Sequence, residues 1–246
     1  MARIAYDRAD AAAFATTRHL DEDQAGAWRD AVRAHLNPGP GTHLVDVGSG
    51  TGSWARNFGR WFPGIRVTAV EPSAAMRDRS MVRPVADGDA AALPLPDASV
   101  DAAWLSTVIH HVPDLDAAAR ELRRVLRPGG TVLIRSAFAG RHEGITLFRW
   151  FPEAVRVLRS FPGVEQVTAA FGRAGFTVTA LEQVPQVTAP SLADVAATLR
   201  REAHTPLQLI TDAEYEAGVA RLNQAALTET GPVIDHLDLL VLRGTG

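Results

Sequence analysis

Three groups of residues have types and spacing suited to chemistry. The first is Leu44-Val45-Asp46-Val47-Gly48-Ser49-Gly50-Thr51-Gly52, where apolar residues and an acid run into a glycine-rich turn. Trp54 to Phe62 then reads as a helix. Gly48 and Gly50 remove the side chains that would hold the backbone away from a ligand and allow dihedrals that other residues resist. A strand, a glycine turn and a helix N-terminus together make a nucleotide-binding corner. The spacing here is G-x-G-x-G, with Ser53 where a dinucleotide fingerprint needs its last glycine. The chain contains no lysine, which excludes a P-loop. The second group is Glu71, closing the short apolar run Val67-Thr68-Ala69-Val70 about twenty residues after the turn. A carboxylate there can accept from both hydroxyls of a ribose. The third is His110-His111, just past the apolar run Val100 to Ser106. A histidine near neutrality suits removal of a proton from a hydroxyl.

The glycine segment resembles motif I of the class I S-adenosylmethionine-dependent methyltransferases, which read (V/L)-D-(V/I)-G-x-G-x-G. Further segments match that family in order over residues 40 to 138. Ala86-Asp87-Gly88-Asp89-Ala90-Ala91-Ala92-Leu93-Pro94 resembles its G-D-A-x-x-L-P stretch. Arg124-Val125-Leu126-Arg127-Pro128-Gly129-Gly130 resembles its R-V-L-(R/K)-P-G-G turn. The ubiquinone/menaquinone-biosynthesis-like group, which in bacteria includes many natural-product enzymes, is the most similar branch.

The resemblance implies S-adenosyl-L-methionine as cofactor. Asp46, Gly48, Ser49, Gly50 and Gly52 would form the loop at its amino-acid end. Glu71 and Pro72 would hold the ribose, Asp89 and the Ala90 amide the adenine, and Leu105 and Ser106 the end of the fourth strand. Asp87 competes with Asp89, and the register of the motif favours Asp89. Tyr6 and Arg18 match the Y-(D/E)-x-x-A … R cap of related enzymes, with Arg18 either pairing with the cofactor carboxylate or exposed. His110-His111-Val112-Pro113-Asp114 matches H-H-(V/L/M)-x-D, in which the histidines are either a base or structural.

The implied fold is α/β: a Rossmann-like, seven-stranded doubly wound sheet of order 3-2-1-4-5-7-6 with the last strand antiparallel. Residues 1–246 are expected to form a single domain, as α/β chains of this length often do. It divides into a helical cap over 1–38, a cofactor-binding half over 40–138 and a substrate-binding half over 139–246. Periodicity places helices over Ala25 to Leu36, Leu115 to Leu126, Gly163 to Gly175, Ser191 to Ala203 and Asp212 to Thr228. Strands are expected over Phe176 to Val187 and Val233 to Arg243. Two segments exceed the minimal sheet, Ala139 to Pro162 and Thr188 to Pro232. Connections at the carboxyl edge of such a sheet make the natural lid. The first carries His142, Phe148, Trp150 and Phe151, candidate substrate-binding residues; for the aromatics the alternative is packing of a helix on the sheet, and His142 is also a second candidate base. His19, His35, His43, His204 and His236 read as surface or packing residues.

Composition narrows the rest. A net charge of −3 without a basic run offers no footprint for nucleic acid. Zero cysteines exclude disulfides, thiolate metal sites and a cysteine nucleophile. No acidic cluster has metal-ligand spacing, and Asp114 and Asp116 fit the start of a helix. No segment has the length of a membrane span and the N-terminus is too polar for a signal peptide, so a cytoplasmic protein is expected. The expected partner is a small, apolar or aromatic acceptor, methylated by a monomer or homodimer. The alternatives are a cyclase or regulatory binding module that keeps the cofactor without methyl transfer, or an enzyme transferring another group from a modified cofactor.

Overall fold

The computed structural model describes residues 25–245. Tyr6 and Arg18 lie outside the described residues. The elements run α1 (Gly26–Leu36), β1 (His43–Val47), α2 (Ser53–Trp61), β2 (Arg66–Val70), α3 (Ala74–Asp78), β3 (Val85–Ala86), β4 (Val100–Ser106), α4 (Leu115–Val125) and β5 (Leu126–Ser136). Then come α5 (Thr146–Trp150), α6 (Val155–Leu158), α7 (Val164–Arg173), β6 (Phe176–Ala189), α8 (Leu192–Thr198), α9 (Thr205–Gln208), α10 (Asp212–Ala226) and β7 (Val233–Gly244).

The strands form one sheet of order β3-β2-β1-β4-β5-β7-β6. The first five are parallel, and β7 enters antiparallel to both neighbours. β1 is buried along its whole length, as a central parallel strand covered on both faces must be. One face packs Val45, Val47, Leu105, Ile134 and Phe171 under α4 and α7. The other packs Trp28, Phe58, Trp61, Trp104 and Leu239 under α1 and α2. The Arg-Pro-Gly-Gly turn lies inside β5 as an irregularity: β4 pairs Val100 with Leu126, then Ala102 with Thr131. Gly129 takes a positive φ of 74° there, where a side chain would be strained.

The two long connections pack on each other. Phe148, Phe151 and Leu158 of the first meet Leu192, Leu207 and Leu222 of the second in a third core. Arg149 pairs with Glu229, Arg156 with Glu214 and Arg221 with Glu153, so these arginines tie the lid together. The helix expected over Ser191 to Ala203 is split. It begins at Ser191, whose hydroxyl accepts from the Asp194 amide, and ends at Thr198, which bonds back to the Asp194 carbonyl. Leu199 turns extended, and Arg201 begins a separate 3-10 turn that clamps the Leu207 and Ile210 carbonyls.

Asp46 sits in mid-sheet at 1% exposure, where its carboxylate accepts from the Ala55 amide in the first turn of α2. Burial, reinforced by the nearby Glu71 carboxylate, pushes its pKa up from 3.8 to about 7, and the Ala55 bond offsets part of the rise. The fold therefore favours the protonated acid. That stabilisation is complete below the unfolded value and is lost as pH rises through about 7. Asp46→Asn keeps an acceptor for Ala55 and carries no charge. Relative to wild type it should gain on the order of 1–3 kcal/mol between pH 5 and pH 8. Thermal unfolding at the two pH values checks this, and a pH-independent difference would contradict it.

Candidate active site

A cleft of about 850 Å³ opens where β1, β2, β4 and β5 end. That volume lies toward the upper end of the roughly 300–1,000 Å³ typical of small-molecule sites. Ligands in open α/β sheets bind at this edge.

The glycine loop forms one wall through its backbone. The Gly48 and Ser49 amides both donate to the Val70 carbonyl, at 2.9 and 3.0 Å. A Cβ on Gly48 would stand 2.4 Å from Val108 of the β4 loop, so the glycine is what lets the two loops meet. Gly52 does different work. It does not line the cleft, and a Cβ there would strike Ser80 and Val82 of the β2–β3 connection at 2.5 and 2.9 Å.

Glu71 is 7% exposed and bridges two loops, accepting from the Gly50 amide and the Ser73 amide, each at 2.8 Å. Each carboxylate oxygen retains capacity for a second donor, as a ribose diol requires. Burial raises its pKa, and the two amides hold that rise back. Pro72, Asp89 and Ala90 line the same end. Asp87 instead faces Arg77 at 2.8 Å, and the same guanidinium nitrogen holds the Glu71 and Pro72 carbonyls. The two acids thus have separate jobs, with Asp89 alone on the cleft. The Ser49 hydroxyl is buried and cleft-lining, and among the described residues it has no hydrogen-bond partner. A buried orphan of this kind calls for a ligand or water. Asp46 and Leu105 stand behind the wall, fully buried, while Ser106 lines it.

His110 and His111 occupy a 3-10 turn after β4, and both line the cleft. The His110 ring stacks on Phe161 at 4.2 Å and 6°, and lies 4.0 Å from the His111 ring. Asp114 caps α4 by accepting from the Ala117 amide, closing this loop.

The candidate acceptor residues divide. Phe148 lines the cleft, alongside Ile145, Leu147, Leu158 and Phe161. Trp150 and Phe151 do not line it. Phe151 is fully buried with its ring against Gly218, where a Cβ would stand 2.1 Å away. Trp150 stacks under Arg149 on the far side of the lid. His142 also stays off the cleft wall, with its ring edge-on to Phe148. Phe151 thus packs the lid core, Trp150 lies against Arg149 and His142 against the Phe148 ring, and none of the three reaches the cleft wall. Arg135, Gln186, Thr205 and Asp235, none of them singled out from the sequence, also line the cleft, as does His204, expected as a surface or packing residue. Only Arg135 carried a signal, a charge ending the apolar run Val132-Leu133-Ile134.

Residues 45–134 match a family model described as a methyltransferase domain. The chain is 41% identical over 121 residues to a ubiquinone/menaquinone biosynthesis C-methyltransferase, UbiE, of Caulobacter sp. (strain K31). That match takes in 43% of this chain and 48% of the relative, so the chain spans about half the length of the curated relatives of this kind that it matches. A malonyl-[acyl-carrier protein] O-methyltransferase of Serratia marcescens is 30% identical over 211 residues, 68% of this chain and 82% of the relative. Among solved structures, the [4+2]-cyclase SpnF superposes with a TM-score of 0.59 and 25% identity, covering 90% of this chain and 82% of that one. The motifs in register, the sheet order and these likenesses agree: the chain belongs to the class I S-adenosylmethionine-dependent methyltransferase family.

Proposed function

We propose that the protein transfers a methyl group from S-adenosylmethionine to a small acceptor with an apolar body. The observation that carries this reading is one cleft holding both halves of the reaction: Glu71 and the glycine loop at one end, His110, His111 and an apolar wall at the other. When bound, the cofactor supplies a sulfonium methyl, already a strong electrophile. The chain's own task is then alignment and proton handling. Glu71, steadied by the Gly50 amide, holds the ribose, Asp89 and Ala90 the adenine, and Ser49 lies toward the amino-acid end. Phe148, Phe161 and Leu147 exclude water from the acceptor. The histidine pair removes a proton from a hydroxyl acceptor, with His110 held in place by the Phe161 ring. Residues 1–246 act as one catalytic domain in this reading, and the protein works in the cytoplasm on metabolites. The likeness to SpnF favours a second reading, a cyclase that keeps the cofactor without spending its methyl.

Glu71→Ala should weaken S-adenosylhomocysteine binding by roughly 1.5–3 kcal/mol, since charge-assisted bonds to the ribose are lost. Because burial raises the Glu71 pKa, wild-type affinity should begin to fall on acidification while still above the ordinary glutamate value of about 4.3. Calorimetry tests both, and undiminished binding in the variant would remove Glu71 from the site.

Transfer of labelled methyl into a metabolite extract separates enzyme from cyclase or binding module. If the histidines act as base, His110→Ala or His111→Ala should cost roughly 10²–10⁴ in turnover and leave cofactor affinity near wild type. The wild-type rate should rise with pH as the imidazole becomes neutral. Full activity and an unchanged pH profile in both single variants and the double variant would leave alignment alone as the mechanism.

A further inference from the structure

The acceptor half of the cleft is walled in part by β6 and β7 where they run past the sheet edge. β5 and β7 pair as far as Ser136 and Asp238, whereas β6 and β7 stay paired on to Ala189 and Val233. In that overhang Gln186 and Asp235 stand directly opposite each other, and both line the cleft. Opposed residues on one sheet face hold their Cβ atoms about 4.5–5.5 Å apart, so one small ligand can touch both. They are 8% and 9% exposed, two polar side chains in a wall that apolar residues would line at less cost.

Both side chains are fixed from behind. The Asp235 Oδ1 accepts from the Thr146 amide at 2.8 Å, and the adjoining His236 amide donates to the Gly144 carbonyl at 2.7 Å. The Gln186 side-chain oxygen accepts from the Trp28 indole N–H at 3.1 Å and from Arg135 Nη2 at 2.6 Å. Indole and guanidinium groups only donate, so the Gln186 oxygen must face them and its NH2 must turn away. Among the described residues that NH2 has no acceptor and the Asp235 Oδ2 has no donor. Neither atom is sealed in, as the Trp104 indole N–H is, so each is open to a ligand or to water.

We infer that Gln186 and Asp235 form the recognition pair of the acceptor half: the amide donates to an oxygen of the acceptor, and the carboxylate accepts from an adjacent hydroxyl or N–H. The acceptor is then an apolar molecule with one neutral donor–acceptor edge, such as an enol beside a carbonyl or a carboxamide. This rests on the methyltransferase reading for which half receives the acceptor. An amino acid's carboxylate and ammonium present the same pairing, so the cofactor's own methionine end is a second source of this chemistry.

Equilibrium dialysis on the full chain with S-adenosylhomocysteine present separates these sources, using three probes of one aromatic body: 2-naphthamide, 2-acetonaphthone and 2-ethylnaphthalene. The first offers donor and acceptor, the second an acceptor alone and the third neither. Wild type should bind the amide roughly tenfold or more tighter than the ketone, and the ketone tighter than the hydrocarbon. Asp235→Asn keeps an oxygen for the Thr146 amide but loses the free acceptor, and should bring amide and ketone within about threefold of each other. Gln186→Glu keeps an oxygen for Trp28 and Arg135 but loses the donor, and should bring ketone and hydrocarbon within about threefold. Thermal unfolding identifies any variant that fails to fold, in which case the wild-type ranking decides. Equal affinities in wild type, a ranking that survives in both folded variants, or binding of none of the probes would overturn the inference. So would a loss of affinity for S-adenosylhomocysteine in either variant that spares 5′-methylthioadenosine, which lacks the amino-acid end. Should wild type fail to bind S-adenosylhomocysteine at all, the methyltransferase reading falls, and the naphthyl series without it still tests the pair.

Discussion

The structure depends on how closely three strand ends approach one another. The Val70 carbonyl at the end of β2 takes two amides from the loop after β1, and Glu71 takes a third, from Gly50. Val108, beyond β4, presses on the space where Gly48 would carry a side chain. A Cβ at that point would need to move a packed valine or the loop itself, at a cost of the size seen when cores are overpacked, about 1–3 kcal/mol. From this junction follow the position of Glu71, the seating of Ser49 on the cleft wall, and the placing of His110 and His111 across from both. Asp46 beneath it joins β1 to the first turn of α2, which makes the loop a rigid corner.

The lid is organised on a different principle. Its two segments are far apart in sequence, yet they share a core and three arginine–carboxylate pairs. Exposed pairs of this kind contribute little each, so the buried Phe151, Leu158 and Leu207 carry most of the stability. The pairs instead fix which way the segments face. Phe151 turns inward to the lid core, whereas Phe148 and Phe161 pack on that core and also line the cleft. The acceptor wall is thus a by-product of how the lid folds on itself.

The cofactor half was legible in the sequence because its chemistry is local. The glycine turn, the strand-ending Glu71, the segment around Asp89 and the two histidines each declare themselves within a few residues, and the sheet edge gathers them. The lid was not legible in the same way. Trp150 and Phe151 carry the same aromatic signal as Phe148, and contacts from some seventy residues away, with Gly218 and Tyr215, decide that Phe151 is core. The split after Thr198 depends on a side chain bonding back to its own helix, which periodicity does not register. Gln186 and Asp235 reach the cleft through the antiparallel register of β6 on β7, a pairing between segments about fifty residues apart. Arg124, which the sequence showed only as the first residue of the R-V-L-(R/K)-P-G-G match, reaches back to Glu121 and Asp97 and to the Leu93 and Leu95 carbonyls, and so fastens the segment after Asp89.

In the proposed reaction one cleft aligns a bound sulfonium with an acceptor, the nucleoside on Glu71 and the reacting end toward β4 and β5. A crystal structure of the full chain with S-adenosylhomocysteine tests it most directly. Both ribose hydroxyls should lie on the Glu71 carboxylate, adenine beside Asp89, and the sulfur should face the space bounded by His110, His111 and Arg135. A ligand whose ribose avoids Glu71, or whose sulfur points away from that space, would contradict it.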